Sequence, residues 1–157
     1  MEQRKLVLRA DKIAFMKVGE EYHRMRGFKS LPTAKNPIEY SRQYVDEYFE
    51  TTDVVGMSES KDFEFDQYVN DPVHEYLVDI IDNEKLGSEA IVEIVTVDKG
   101  LDTDNAVVRK YSVVAESYGD GTEAFTYTGR FSAISDIERT DFTISEDGLT
   151  ATNVGGI

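Results

Sequence analysis

Apolar residues recur along this chain mostly at a period of two, with one interruption at the helical period. Residues 6–18, "LVLRADKIAFMKV", read as one or two short strands. Residues 19–38 hold glycines, two prolines, four lysines and arginines and a histidine with no sustained period, and they read as a long loop. In residues 40–55, Tyr40, Tyr44 and Tyr48 recur every fourth position. That spacing fits one face of a helix or one face of a strand. No apolar helical stripe accompanies the rings and the end, "FETTDVVG", is β-branched, so a strand is expected. "MSES" then reads as a turn. "KDFEFDQY" alternates, with Phe63 and Phe65 on one face and Asp62, Glu64 and Asp66 on the other.

The interruption is residues 72–86, where Val73, Tyr76, Leu77, Ile80 and Ile81 form one helical stripe. Asp71 is the expected N-cap, Pro72 sits at the first helical position, and Gly87 suits the residue after the helix. Glu75, Asp79 and Asp82 form the opposite face. Residues 89–98, "EAIVEIVTVD", are apolar on both faces and read as a central strand. "DTDN" reads as a turn. Residues 106–118 and 122–131 flank "GDG", and "TDFTIS" and "LTATNV" flank "EDG", so two hairpins are expected. About eight strands and one helix predict a mainly β protein, a β-sandwich or barrel-like sheet with the helix packed on it.

Composition agrees. Val and Ile outnumber Leu by 26 to 7 among 157 residues. β-branched side chains pack well on a pleated surface. A chain of this length buries a full core as one domain. Cysteine is absent, which excludes disulfides and thiolate zinc sites. "MEQRKLVLRADK" has at most three consecutive apolar residues, too few for a signal peptide, and no segment is apolar enough for a membrane helix.

The net charge of −14 is unevenly spread. Residues 1–42 carry ten basic and five acidic side chains; residues 43–157 carry seven and 26. An acidic body repels nucleic acid and anionic membranes, while a basic arm suits a neighbouring acidic copy.

Signatures of enzyme chemistry are missing: no phosphate-cradling loop, dinucleotide fingerprint or nucleophile elbow occurs. His74 falls on the polar flank of the helix and reads as a solvated surface residue; for His23, in the basic stretch, the pattern leaves both environments open. Asp102, Asp104 and Asn105 share only a fragment of a calcium-loop pattern and read as a turn. Asp62, Glu64 and Asp66 read as an ordinary exposed face, with a metal site or a wet channel as the alternatives.

Two segments carry a resemblance. The pattern N-P-x-E-Y-S-R-Q-Y-x-D-E (Asn36 to Glu47) and the segment N-D-P-V-H (Asn70 to His74), with the "FEFDQY" and "IVEIVTVD" strands in that order, resemble the major tail protein of long-tailed bacteriophages and prophages of Gram-positive bacteria. This is the tail tube protein. The resemblance covers about residues 10–135. It implies a single tail tube domain over residues 1–157, with an extended basic loop at about 19–39 and a short C-terminal tail. It implies hexameric rings that stack into a hollow tube with an acidic lumen. DNA passes through that lumen without specific binding. Implied partners are further copies of the chain and the tape measure, tail tip and tail terminator proteins. No membrane, cofactor, metal or reaction is implied. The expected location is the virion tail, assembled in the host cytoplasm.

On this reading Arg24, Arg26, Lys29, Lys35, Tyr40, Arg42, Tyr44 and Tyr48 are interface candidates, because tyrosine buries much area and keeps a polar handle. Asp62, Glu64 and Asp66 are lumen candidates. Tubes of contractile tails and phage-tail-like bacteriocins are the nearest alternative. A monomeric β-sandwich binding module fits less well, since the chain has no tryptophan. A hydrolase built on the 62–66 carboxylates would need a cleft and a raised carboxylate pKa.

Overall fold

The computed structural model describes residue 6 and residues 12–98, 102–120 and 124–154. Among them the strands are β1 (Lys12–Val18), β2 (Glu21–Arg24), β3 (Phe28–Ser30), β4 (Thr33–Ala34), β5 (Pro37–Arg42), β6 (Thr51–Met57), β7 (Ser60–Asp66), β8 (Ile91–Asp98), β9 (Asp102–Asp120), β10 (Phe125–Ala133), β11 (Glu138–Thr140), β12 (Phe142–Ile144) and β13 (Thr150–Asn153). The helix α1 spans Pro72–Asp82. The main sheet runs β12-β13-β2-β1-β8-β9-β10-β7-β3, with β11 on β9 and β4 on β7; β5 and β6 form a second sheet of two strands.

The 19-residue strand β9 organises the sheet. One edge pairs with β8; the other takes β11 near its start and β10 further along. Only Asp141 separates β11 from β12, so the β12 end of the path returns to β9 and the sheet curls into a half-barrel. Val154 N–H donates to the Asp141 carbonyl at 2.9 Å, extending the β12–β13 ladder to the residue between β11 and β12.

Strand alternation then builds two cores on opposite faces. On β1, Met16 enters one cluster and Ile13 and Phe15 the other. On β8, Val92 and Ile94 join Met16, while Val95 and Val97 join Phe15. The first core lies under α1, with Phe63, Phe65, Tyr127 and Phe131 meeting Val73, Leu77, Ile80 and Ile81. The second fills the half-barrel, with Ala106, Val108, Phe142 and Ala151.

The expected mainly β, barrel-like architecture with one helix is what forms, and β8 is central. The "GDG" and "EDG" hairpins form as β9–β10 and β12–β13, although residues 121–123 lie outside those described. Asp71 caps α1, accepting from the N–H groups of Val73 and His74. The helix stops at Asp82, short of the expected residue 86, because Asn83 caps it and Glu84 turns left-handed with φ 51°. Gly87, φ 60°, opens a 3₁₀ turn to Ala90.

Three expectations are corrected. Within the loop expected at 19–39, β2 pairs with β1 and β13, and β3 and β4 pair along β7. Existing strand edges supply ladder partners there, so short segments without a period become strands. The single strand expected at 40–55 is a hairpin arm, with residues 43–50 as its loop. The "DTDN" turn is instead the start of β9, where Asp102 pairs with Asp98; the side chains of Asp102, Asp104 and Asn105 lie outside those described.

A register shift in β10 falls at Thr128/Gly129. A Cβ on Gly129 would stand 2.4 Å from the Val114 carbonyl oxygen and 2.8 Å from the Phe63 ring. Backbone sits on one side and a packed aromatic on the other, so neither can yield cheaply. Gly129→Ala should lower the unfolding free energy by about 1–3 kcal/mol, read from the midpoint of urea unfolding.

Candidate functional site

The β5–β6 arm stands apart from both cores. A two-stranded ribbon alone in water is marginal, so its local bonds matter. Ser41 and Thr52 share a hydroxyl hydrogen bond of 2.9 Å across the strands. Arg42 pairs with Asp53 and lies 5.1 Å from the Tyr40 ring centre. Hydrogen bonds to Asp53 and Tyr44 raise its pKa further. In the loop, Glu47 N–H donates to the Tyr44 carbonyl and the Gln43 side chain to the Glu47 carbonyl, both at 3.0 Å.

The arm leaves its apolar side chains in solvent on both faces. Tyr48 is 93% exposed and Phe49 83%; Ile38, Tyr40, Tyr44, Val45, Val54, Val55 and Met57 are exposed as well. Scattered exposed apolar residues are ordinary, but a contiguous set on one projection marks a docking surface.

At the root of the arm lies a buried carboxylate. Glu59, 6% exposed, lies between β6 and β7, immediately before β7. Lys35, just before β5, donates to one carboxylate oxygen at 2.5 Å. Tyr111 of β9 donates to the other at 2.5 Å, and Arg109 lies 3.2 Å from it. Burial pushes the Glu59 carboxyl up, but hydrogen bonds from Lys35 and Tyr111 and the charges of Lys35 and Lys61 outweigh it and hold the group at about 2. Burial, then the Glu59 contact, pushes the Tyr111 phenol up, and burial lowers Lys61. Both feet of the arm are tied: Asn36, φ 45°, donates from its side chain to the Ser58 carbonyl at 2.8 Å, and Ser58 N–H donates to the Lys35 carbonyl at 3.2 Å.

The anticipated interface residues divide. Tyr40, Tyr44 and Tyr48 are all exposed on the arm, though only Tyr40 is on a strand. Arg42, Lys35 and Lys29 are engaged within the chain, by Asp53, Glu59 and Asp66. Arg24, the last residue of β2, is half-buried, and Arg26, two residues further on, is exposed. Asp62, Glu64 and Asp66 share the face of β7 opposite Phe63 and Phe65, as expected. Their register partners are Arg130, Thr128 and Thr126, so the face is mixed in charge. Hydrogen bonds from Thr126 and Lys29 lower Asp66.

His74 is a correction. It is fully buried, not solvated: Nδ1 accepts from Tyr68 N–H at 3.0 Å and Nε2 meets the Arg26 carbonyl at 2.6 Å, while its ring tilts against Phe65. β3 folds over the helix flank that the periodicity left open. His23 is half-buried, with Nε2 3.4 Å from Glu21. Glu59, Tyr111 and Arg109 went unnoticed in the sequence. The one available signal was an acid inside a turn between two strands, and such acids are usually solvated.

No family model and no curated protein matches the chain. Solved structures do. The tube-terminating cap of the anti-feeding prophage, determined by cryo-electron microscopy, aligns over 89% of this chain and 95% of its own, with TM-score 0.51 and 12% identity. The two share a fold. At that identity, the likeness to the cap concerns the path of the backbone.

The Glu59 root sets a pH dependence. A folded pKa near 2 against an ordinary 4.5 means that its contribution is fully present above pH 4.5 and is lost as pH falls towards 2. Glu59→Gln should cost about 3 kcal/mol at neutral pH and flatten the decline between pH 5 and 2, measured by urea unfolding across a pH series.

Proposed function

We propose that the chain is a structural subunit of a bacteriophage-type tail, a ring-forming protein whose hexameric rings stack into the hollow tube through which DNA is delivered. One observation carries the reading: an arm projects from an independently packed body and presents aromatic and aliphatic side chains on both faces. Such a surface is stable in water only at a cost, and covering it with another copy removes that cost. The likeness of the sequence to tail tube proteins and of the fold to a tube-terminating cap supports the same role. The role is mechanical, with no reaction and no cofactor. An acidic body is compatible with DNA that slides past without adhering, and Asp62, Glu64 and Asp66 are its lumen-facing candidates. Tape measure, tail tip and tail terminator proteins are the further partners, and the virion tail is the location.

A second reading has its own support. The fold likeness is to a cap, so a single ring that ends a tube, rather than a repeating subunit, is the alternative.

Electron microscopy of the purified chain across a concentration series distinguishes them. Open-ended stacks of rings mean a tube subunit; isolated rings at every concentration mean a terminator; monomer throughout removes both. In the first two cases Tyr44→Ser should raise the concentration needed for assembly about tenfold or more while the monomer keeps its circular dichroism and melting temperature. Unchanged assembly would remove the arm from the interface.

A further inference from the structure

The arm is acidic as well as apolar. Glu39, Asp46, Glu47, Glu50 and Asp53 lie on it, against the single cation Arg42, which is spent on Asp53. A surface that receives it must offer positive charge beside exposed apolar area. The body as a whole does not, since residues 43–157 are strongly acidic.

One place does. Residues 22–35 contain Arg24, Arg26, Lys29 and Lys35 and no acid. With Lys29 and Lys35 engaged by Asp66 and Glu59, the positive charge at this edge rests on Arg24 and Arg26. Arg26 lines a groove of about 310 Å³ with Gly27, Tyr68, Val69, Asn70 and Asp71. That volume is at the lower end of the roughly 300–1,000 Å³ typical of ligand pockets and suits one inserted side chain. Tyr68 is 60% and Val69 86% exposed on its rim. The acids nearby already have donors: Asp71 holds the first turn of α1, Asp66 accepts from Thr126 and Lys29, and Asp147, its pKa lowered by the Ser145 hydroxyl and the Leu149 N–H and then by the charge of Arg26, accepts from both of the former.

The groove is also built in advance. His74 accepts the Tyr68 N–H on one wall and meets the Arg26 carbonyl on the other, so one buried ring ties both. Gly27, φ +77°, presses so close that a Cβ there would stand 2.8 Å from that ring. Little ordering remains to be done on binding.

We propose that this groove is the socket for the arm of a second copy of the chain: an aromatic side chain of the loop enters beside Tyr68 and Val69, and Asp46 and Glu47 face Arg26. The proposal rests on the arm being an assembly element and specifies where it lands.

Charge exchange tests it. Arg26→Glu sets like charges against the arm and should raise the assembly concentration at least about tenfold. Asp46→Lys/Glu47→Lys should do the same from the other side. Mixed in equal amounts the two variants should assemble again, because in an alternating ring every arm meets an opposite charge. Each variant alone should keep the wild-type melting temperature as a monomer. If the wild type never assembles, the proposed function falls and the socket with it. If the wild type assembles but either variant does so equally well, or the mixture does not recover, the socket alone is wrong.

Discussion

Everything in this chain depends on which face of a strand is buried at each point along it. β1, β8 and β9 each carry apolar residues on both faces, and the two sets are covered by different elements. The helix covers one, and the returning strands β11, β12 and β13 enclose the other. A slip of one residue in the β1–β8 register would exchange Met16 for Phe15 and turn both cores inside out at once. Two cores on one sheet therefore fix register more firmly than either would alone, and that rigidity is the platform from which the arm projects.

Much of this was legible in the chain. The helix announced itself by Asp71, Pro72 and a clean stripe, the terminal hairpins by glycine after an acidic residue, and β8 by unbroken apolarity. These are signals a segment carries alone. β2, β3 and β4 were not legible, because nothing in "EYHR" or "FKS" distinguishes a strand from a loop until an edge of β1 or β7 is there to pair with. His74 was misplaced for the same reason: periodicity places a residue on a helix flank but does not know what later lies across that flank.

The candidate site was half legible. Tyrosines among charges, with no stripe of their own, did mark a segment that the body leaves exposed. The cations nearby were harder to interpret. Arg42 is consumed in stiffening the arm, and Lys35 in anchoring it. Sequence shows how many charges a stretch contains but not which are already spent inside the fold. Glu59 is the extreme case, an acid whose position between two strands suggested solvent and whose partners come from β9 and from beyond the far foot of the arm.

The anchoring of Glu59 has a mechanical meaning. The arm is a lever. Its strands of six and seven residues, at about 3.4 Å each, carry the loop roughly 20–25 Å from the root. A tilt of about 10° at the root would therefore sweep the tip through roughly 4 Å, more than the 2.7–3.2 Å length of a hydrogen bond itself. In the proposed ring, errors of that size passed from copy to copy would leave a gap at the last junction. A carboxylate gripped from three sides holds the hinge angle steady at the one place where a small error is multiplied.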